Sequence, residues 1–332
     1  MRTDLLRKVI IENGALGSIK DFCKEWGTPL VVVDPTTKNI AGDKIAGDLN
    51  AEIFVIKEAS LDEVEKVKKI ASDSRCIISA GGGRAIDVGK FAAHKLGVPF
   101  ISVPTVLSHD GIASRNVSLM TKGVYGSYPA STPYGLVVDL DIVKKAPYRM
   151  TAAGAADMIT NYTALEDWKL AGDRDKYIEY IAGLSLLAAD LVANNVDCIR
   201  ALEDVGFENL VWALVISATS MTIAGSSRPA SGAEHMFSHA LDSLGAKALH
   251  GEQVGLGSII FSYLQGGDWK RIKELLKRVG APTTAKEIGI EKEKIIEALL
   301  KAKDVRKRYT ILDIKPLTAE KAENICKETG VI

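Results

Sequence analysis

Three of the five histidines in this 332-residue chain, His235, His239 and His250, lie close together. Residues four apart share a helix face, so a helix over 233–244 turns His235 and His239 into one cavity. His250 precedes Gly251 in HGEQVGLG, which reads as a chain break followed by a new helix start, and so approaches from a separate segment. Neutral imidazole is the commonest protein ligand for a divalent transition metal, and an open site draws its third ligand from elsewhere. Glu234 stands before the first histidine, so the His-Glu-x-x-His arrangement is missing and a metalloprotease is excluded. A carboxylate is available in TAAGAADMITN, where Asp157 sits alone among alanine and glycine. Buried there it requires a partner, which a metal supplies. Asn161, four residues on, is placed on the same face to support it. One carboxylate and two imidazoles make a three-ligand site with an open position, the arrangement of catalytic zinc.

A second chemistry is written in the first half. The apolar run CIISA enters GGGRAIDVGK, residues 81–90. Glycines at a strand-to-helix turn let the backbone approach a pyrophosphate, and the free N–H groups of the helix start favour its charge. A tight turn at positive φ would explain one glycine, not three. Ile86 stands where Gly-x-Gly-x-x-Gly needs its third glycine, and no Gly-Lys-Ser/Thr follows, so neither the ordinary Rossmann nor the Walker pattern is present. The next strand ends in a polar loop, PTVLSHDGIAS (104–114), the position at which open α/β sheets bind ligands. Asp34 ends an earlier strand and is suited to an adenosine ribose; Thr37 and Lys38 behind it are candidates for a 2′-phosphate.

The elements that must carry these residues differ between the two halves. Runs at 29–34 (PLVVVD), 51–56 (AEIFVI), 75–80 (RCIISA), 98–103 and 136–139 read as strands. Ser60 opens a helix, with Glu63 placed for a capping box, and 85–96 is a second helix. This order predicts a parallel α/β sheet, interrupted by a Gly-, Ser- and Tyr-rich hairpin over 116–134. Beyond Pro147 the rhythm becomes helical, at 152–169, 176–193, 210–224, 233–244 and 292–302, with no strand expected. Two domains follow, 1–146 and 147–332, and a cleft between such domains is a common ligand site.

Composition narrows the partners. Lys plus Arg and Asp plus Glu are 42 each, and no basic stripe interleaved with aromatics occurs, which argues against nucleic acid. The four cysteines form no Cys-x-x-Cys pair and suit a reducing cytoplasm. The start, Met1-Arg2-Thr3-Asp4, lacks the apolar core of a signal peptide. The longest apolar segment, 211–224, is too short to span a bilayer, so no transmembrane segment is expected.

Together these motifs resemble the iron-containing alcohol dehydrogenase and dehydroquinate synthase superfamily, and within it the archaeal sn-glycerol-1-phosphate dehydrogenases. The resemblance covers essentially the whole chain. It is carried by GGGRAIDVGK, PTVLSHDGIASRNVS, the Ala-rich segment with Asp157, EHMFSHALD, HGEQVGLG and RKRYTILD. It implies a dehydroquinate synthase-like fold, with an α/β dinucleotide-binding domain before an all-helical metal- and substrate-binding domain. It implies one zinc per subunit on Asp157, His235 and His250, and makes His239 a catalytic, substrate-side residue. Asp110, Asp157 and His239 would face the substrate, Asp110 sharing the catalytic role. Gly82, Gly83, Arg84, Ala85, Ile86 and Asp87, then Thr105, Val106, Leu107, Ser108 and Ser114, would line NADH or NADPH. The implied reaction is reversible reduction of dihydroxyacetone phosphate to sn-glycerol 1-phosphate, the step that sets the stereochemistry of the archaeal phospholipid backbone. A homo-oligomer is compatible with it. Two alternatives are the same chemistry on an unphosphorylated glycerol or alcohol, and a dehydroquinate synthase-like lyase. The lyase needs several basic side chains, and few Arg or Lys lie near the His motifs in the sequence.

Overall fold

The computed structural model describes residues 4–332; the charged start at 1–3 lies outside the described residues. The chain divides into two compact units, one ending at Tyr148 and the other beginning at Arg149.

The first unit is built on six parallel strands: β1 (Lys8–Glu12), β2 (Leu30–Val33), β3 (Glu52–Val55), β4 (Ile77–Gly81), β5 (Phe100–Pro104) and β8 (Gly135–Asp139). Their order across the sheet is β1-β8-β5-β4-β2-β3. Strands β2, β4, β5 and β8 are buried along their whole length, as continuous β-branched runs require when both faces are covered. The chain leaves β2 toward one edge and β4 toward the other, so the direction of winding reverses between these neighbours. Open α/β sheets bind ligands at the carboxyl ends of strands beside such a reversal. The half-buried edge strand β1 is not among the expected strands, although Val9, Ile10 and Ile11 are β-branched; it pairs with β8, far along the chain. The expected hairpin is present as β6 (Asn116–Thr121) and β7 (Val124–Pro129). Lys122 and Gly123 both take positive φ at its tip, as a two-residue turn matched to strand twist demands.

One cap differs from expectation. Ser60 Oγ accepts the Glu63 N–H at 3.3 Å, but the Glu63 carboxylate does not return the bond. It accepts the Lys57 N–H at 3.1 Å and pairs with Lys66 at 2.6 Å.

The second unit is helical, with no strand among the described residues. The segment read as one helix over 152–169 is two, Tyr148–Ile159 and Asn161–Ala171. Between them the Thr160 hydroxyl donates to the Asp157 carbonyl at 2.7 Å, a local bond that competes with the helical ladder. The apolar segment at 211–224 belongs to a longer helix, Asp204–Ala224, which with Glu179–Arg200 is long and apolar enough to cross a membrane. The two pack on each other: a Cβ on Gly206 would strike the Cys198 backbone, and Phe207, Leu210, Val211 and Leu214 are fully buried. Their apolar length is that of a core pair.

Candidate active site

In the first unit, three loops leave the carboxyl ends of the adjacent strands β2, β4 and β5. The loop after β4 begins the helix Gly83–Leu96, with Gly82 as N-cap and no side chain capping it. None of Gly81, Gly82 and Gly83 takes positive φ, so close approach explains the glycines and turn strain does not. A Cβ on Gly81 would come within 2.8 Å of Ala85 Cβ, and one on Gly83 within 2.5 Å of His109 Nε2. At Gly82 the only neighbour is Val106 Cγ2 at 3.4 Å. The uncapped N–H groups therefore face a space that backbone can border and side chains do not fill, which fits a pyrophosphate.

The remaining expected residues fall around this cradle in different ways. Thr105 donates its N–H to the Gly81 carbonyl at 3.0 Å, joining the β5 loop to the glycine turn. Val106, Ser108 and Asp110 are half-buried, whereas Leu107 and Ser114 are buried. Arg84 is exposed, and Ala85 and Ile86 are core side chains that can line a ligand only through their backbone. Asp87 turns its carboxylate to the hairpin, accepting the Ser118 N–H at 2.9 Å. Asp34 and Thr37 form a reciprocal cap. Asp34 Oδ1 accepts the N–H groups of Thr36 and Thr37 at 2.9 Å, and Thr37 Oγ1 accepts the Asp34 N–H at 3.1 Å. Thr37 is buried, and its hydroxyl closes this cap. Asp34 Oδ2 lies 3.8 Å from Arg84, and Lys38 pairs with Asp43 at 2.5 Å.

Two residues of this region had no assigned role. Lys90 is fully buried, and its ammonium donates to the carbonyls of Gly111 (2.7 Å), Ser114 (3.0 Å) and Asn116 (2.9 Å). It pins the loop carrying Asp110 and Ser114 to the glycine-loop helix. Burial pushes Lys90 down and Asp87 up, while their 3.6 Å separation opposes both shifts. A lysine in the apolar run VGKFAA was the available signal. His109 accepts the Gly111 N–H on Nδ1 at 2.9 Å, which leaves its Nε2 beside Gly83.

In the second unit, Asp157 comes from the buried helix Tyr148–Ile159, His235 from Ala233–Ser243, and His250 from the first residue of His250–Gln265. One ligand atom from each lies within 4.8 Å of the others. Asp157 Oδ1 is 3.8 Å from Nε2 of both histidines, beyond hydrogen-bonding range. Both rings are set by what their other nitrogen touches. His235 Nδ1 is 3.0 Å from Glu234 Oε1. His250 Nδ1 is 3.1 Å from Ser238 Oγ, whose own proton goes to Gln253 Oε1 at 2.8 Å. Gln253 is oriented in turn by donating Nε2–H to Asp242 and the Ala248 carbonyl. These acceptors place each imidazole proton on Nδ1 and turn the bare Nε2 toward Asp157. Lone pairs converging on one point repel unless a cation sits among them, so the donor set fits a divalent metal. Burial, with Arg306 and Arg308 nearby, holds His235 neutral, its pKa down at about 3.

His239 is brought to the same place, its ring centroid 6.3 Å from that of His250. Its Nε2 is 3.4 Å from Arg306 Nη2 and must accept, because guanidinium only donates. Burial first, then His235, Arg306 and Arg308, lower its pKa to about 4. Asn161 is not at the metal site. Its amide donates to the Ser185 carbonyl (3.3 Å) and Ser217 Oγ (3.4 Å), because the chain breaks helix at Thr160 and carries it away from the Asp157 face. The scarcity of basic residues near the His motifs holds along the sequence but not in space, since 306–308 folds back against His239.

The fold is shared with solved dehydrogenases. The model of the iron-containing alcohol dehydrogenase family matches residues 10–147. A probable glycerol dehydrogenase from Sinorhizobium meliloti 1021 superposes with a TM-score of 0.83 over 100% of this chain and 99% of that one, at 21% identity. Glycerol dehydrogenase from Schizosaccharomyces pombe gives 0.80 over 99% and 92%, at 20% identity. Curated relatives are much nearer in sequence. The glycerol-1-phosphate dehydrogenase (NAD(P)+) of Pyrococcus furiosus is 48% identical over 98% of both chains. That of Methanosarcina mazei is 44% identical over 99% of this chain and 96% of its own. The chain belongs to the glycerol-1-phosphate dehydrogenase family.

Proposed function

We propose that the chain catalyses the NAD(P)H-dependent, zinc-dependent reversible reduction of dihydroxyacetone phosphate to sn-glycerol 1-phosphate, in the cytoplasm, as a step of phospholipid backbone synthesis. The observation that carries the reading is the convergence of Asp157 Oδ1 with two imidazole Nε2 atoms whose protons are held on the far nitrogen. The relatives named for this activity match the whole chain, which favours it over other metal-dependent alcohol chemistries.

In this reading residues 1–146 bind the dinucleotide, and 147–332 bind metal and substrate. Asp157, His235 and His250 hold zinc, one ion per subunit. Zinc supplies Lewis-acid polarisation of a ketone, and the nicotinamide supplies hydride. The backbone of 82–87 holds the pyrophosphate, with Thr105, Val106, Leu107, Ser108 and Ser114 around the dinucleotide and Asp34 at the ribose. Lys38 can still reach a 2′-phosphate, because its exposed pair with Asp43 is weak; both NADH and NADPH therefore serve. His239, or a water it holds, lies on the substrate side and relays a solvent proton to the nascent hydroxyl. Asp110 lies on the substrate side.

The test is an assay of the zinc-loaded protein with dihydroxyacetone phosphate, dihydroxyacetone and a heptulosonate phosphate, followed by chiral analysis of the product. The phosphorylated triose should be preferred by at least about a hundredfold in kcat/KM, because remote binding energy positions the reacting carbonyl. A product of sn-glycerol 3-phosphate configuration, or equal use of the unphosphorylated ketone, overturns the reading.

A further inference from the structure

Four arginines of the second unit, Arg149 exposed and the other three buried or half-buried, can be compared by their partners. Arg149 makes a two-pronged pair with Glu252, at 2.5 and 2.7 Å. Arg228 pairs with Asp175 and donates to the Tyr309 carbonyl at 2.7 Å. Arg308 donates to the Ser231 carbonyl and to Ser227 Oγ at 2.8 Å. Each of these is anchored by protein acceptors. Arg306 is different. It is half-buried, and its one hydrogen-bonding contact among the described residues is His239 Nε2 at 3.4 Å. No carboxylate among the described residues comes within ion-pair distance of it, and both desolvation and the neighbouring Arg308 guanidinium oppose its charge. Partial burial of its charge is costly, yet the four remaining N–H donors have no protein acceptor among the described residues and its Nε and Nη1 reach solvent, open to a ligand.

Its place gives that cost a purpose. His239 Nε2 joins Arg306 on one side, and the His239 ring stands beside His250 on the other. The guanidinium is therefore one imidazole away from the point where the three ligand atoms converge. A substrate whose ketone is set at that point has its phosphate one methylene and one ester oxygen further along. Arg308 adds a second positive charge nearby, while two of its own donors are bound to Ser231 and Ser227.

We propose that Arg306 is the residue that recognises the substrate's phosphate, its planar fork taking two phosphate oxygens, and so sets the preference for a phosphorylated over an unphosphorylated ketone. This deepens the function proposed above and rests on it. Planar two-point recognition of a phosphate is the chemistry for which guanidinium is suited and ammonium is not.

The experiment measures kcat/KM for dihydroxyacetone phosphate and for dihydroxyacetone in wild type, Arg306→Gln and Arg306→Lys, each zinc-loaded. Binding of sn-glycerol 1-phosphate is measured alongside by calorimetry. In Arg306→Gln the phosphorylated substrate should lose at least about thirtyfold, the loss expected on deleting one partner of a buried charge pair. Dihydroxyacetone should change less than about threefold, below the weakest such pair. Affinity for sn-glycerol 1-phosphate should fall in parallel, zinc content should hold, and Arg306→Lys should recover only part of the loss. An equal fall for both ketones shows that Arg306 acts through His239 and overturns the proposal, as does no fall for either. Should Arg306→Gln fail to fold, the Lys variant carries the same comparison with a smaller split. A wild-type protein inactive on dihydroxyacetone phosphate would instead remove the function beneath the proposal, a result distinct from both.

Discussion

In the proposed function, the glycine loop of the first unit and the histidine centre of the second would recognise their partners by opposite means. Around Gly82 the contact would be made by backbone, where side chains are absent. Around Asp157 it would be made by side chains, and each imidazole depends on a neighbour that fixes its proton. The first kind of site is sensitive to any added Cβ but indifferent to most polar neighbours. The second fails when a hydrogen-bond partner is lost. Substitutions that separate these sensitivities test whether the two centres are independent.

The largest effect is expected at the ligands. His235→Ala, His250→Ala or Asp157→Ala should abolish metal binding and turnover while leaving dinucleotide affinity near wild type, read by metal analysis and by fluorescence titration with NADPH. Retained zinc in any one of them, or full activity of a chelated preparation, breaks the three-ligand reading.

The mirror-image variant is Gly82→Val. At φ −82° and ψ −173° valine is sterically allowed, and its Cβ meets only Val106 at 3.4 Å, so the fold should survive. Its methyl groups occupy the space bordered by the helix N–H groups, and the KM for dinucleotide should rise by about tenfold or more, equivalent to about 1.4 kcal/mol. Zinc content should not change. An unaltered KM would move the pyrophosphate elsewhere. Gly89→Ala is a poorer probe, because a Cβ there would collide with Ser79 Oγ.

Smaller, and more diagnostic of the side-chain centre, is Ser238→Ala. Ser238 touches neither metal nor substrate in this reading; it holds the His250 Nδ1 proton and passes its own to Gln253. Losing such a partner costs about ten- to a hundredfold in metal affinity. Competition with a chromogenic chelator measures it. Unchanged affinity would mean that helix position alone orients His250.

The same contrast explains what the sequence made readable. The strands, the glycine turn and the hairpin are contiguous stretches whose pattern of glycine and β-branched residues states their geometry. Each metal-site histidine was visible, but its proton partner was not: Ser238 and Gln253 look like ordinary helix residues until the helices His250–Gln265 and Ala233–Ser243 lie together. Asn161 was misplaced because the break at Thr160 depends on a hydroxyl-to-carbonyl bond that composition does not announce. Arg306 was visible only as part of a basic run, since nothing local links it to His239, 67 residues earlier.

The smallest predicted effect concerns a buried carboxylate that supports the side-chain centre from behind. Asp167 is fully buried and accepts the Ala233 N–H (2.7 Å), the Ile311 N–H (2.8 Å) and the Gln265 amide (3.1 Å), fixing the start of the helix that carries His235. Burial, and then the charge of Glu234, raise its pKa from the ordinary 3.8 to about 7, against the pull of those donors. Between these values the folded chain retains a proton that the unfolded chain has released. Asp167 therefore contributes stability that is fully present below pH 4 and is lost as the pH rises through about 7. In the window the slope from one such group is at most about 1.4 kcal/mol per pH unit. Glu234, raised to about 7, and His235 and His239, lowered to about 3 and 4, add slopes of their own, so the decline is read as the difference in thermal unfolding between wild type and Asp167→Asn, both metal-free, from pH 5 to pH 8. Asp167→Asn should start lower, having lost an acceptor for the Ala233 N–H, but should decline less. A variant with the wild-type slope would show that Asp167 stays ionised throughout, held by its donors. In that case the rigidity of the side-chain centre would rest on a permanent buried charge, and its sensitivity to lost partners would be greater than at the glycine loop by a wider margin.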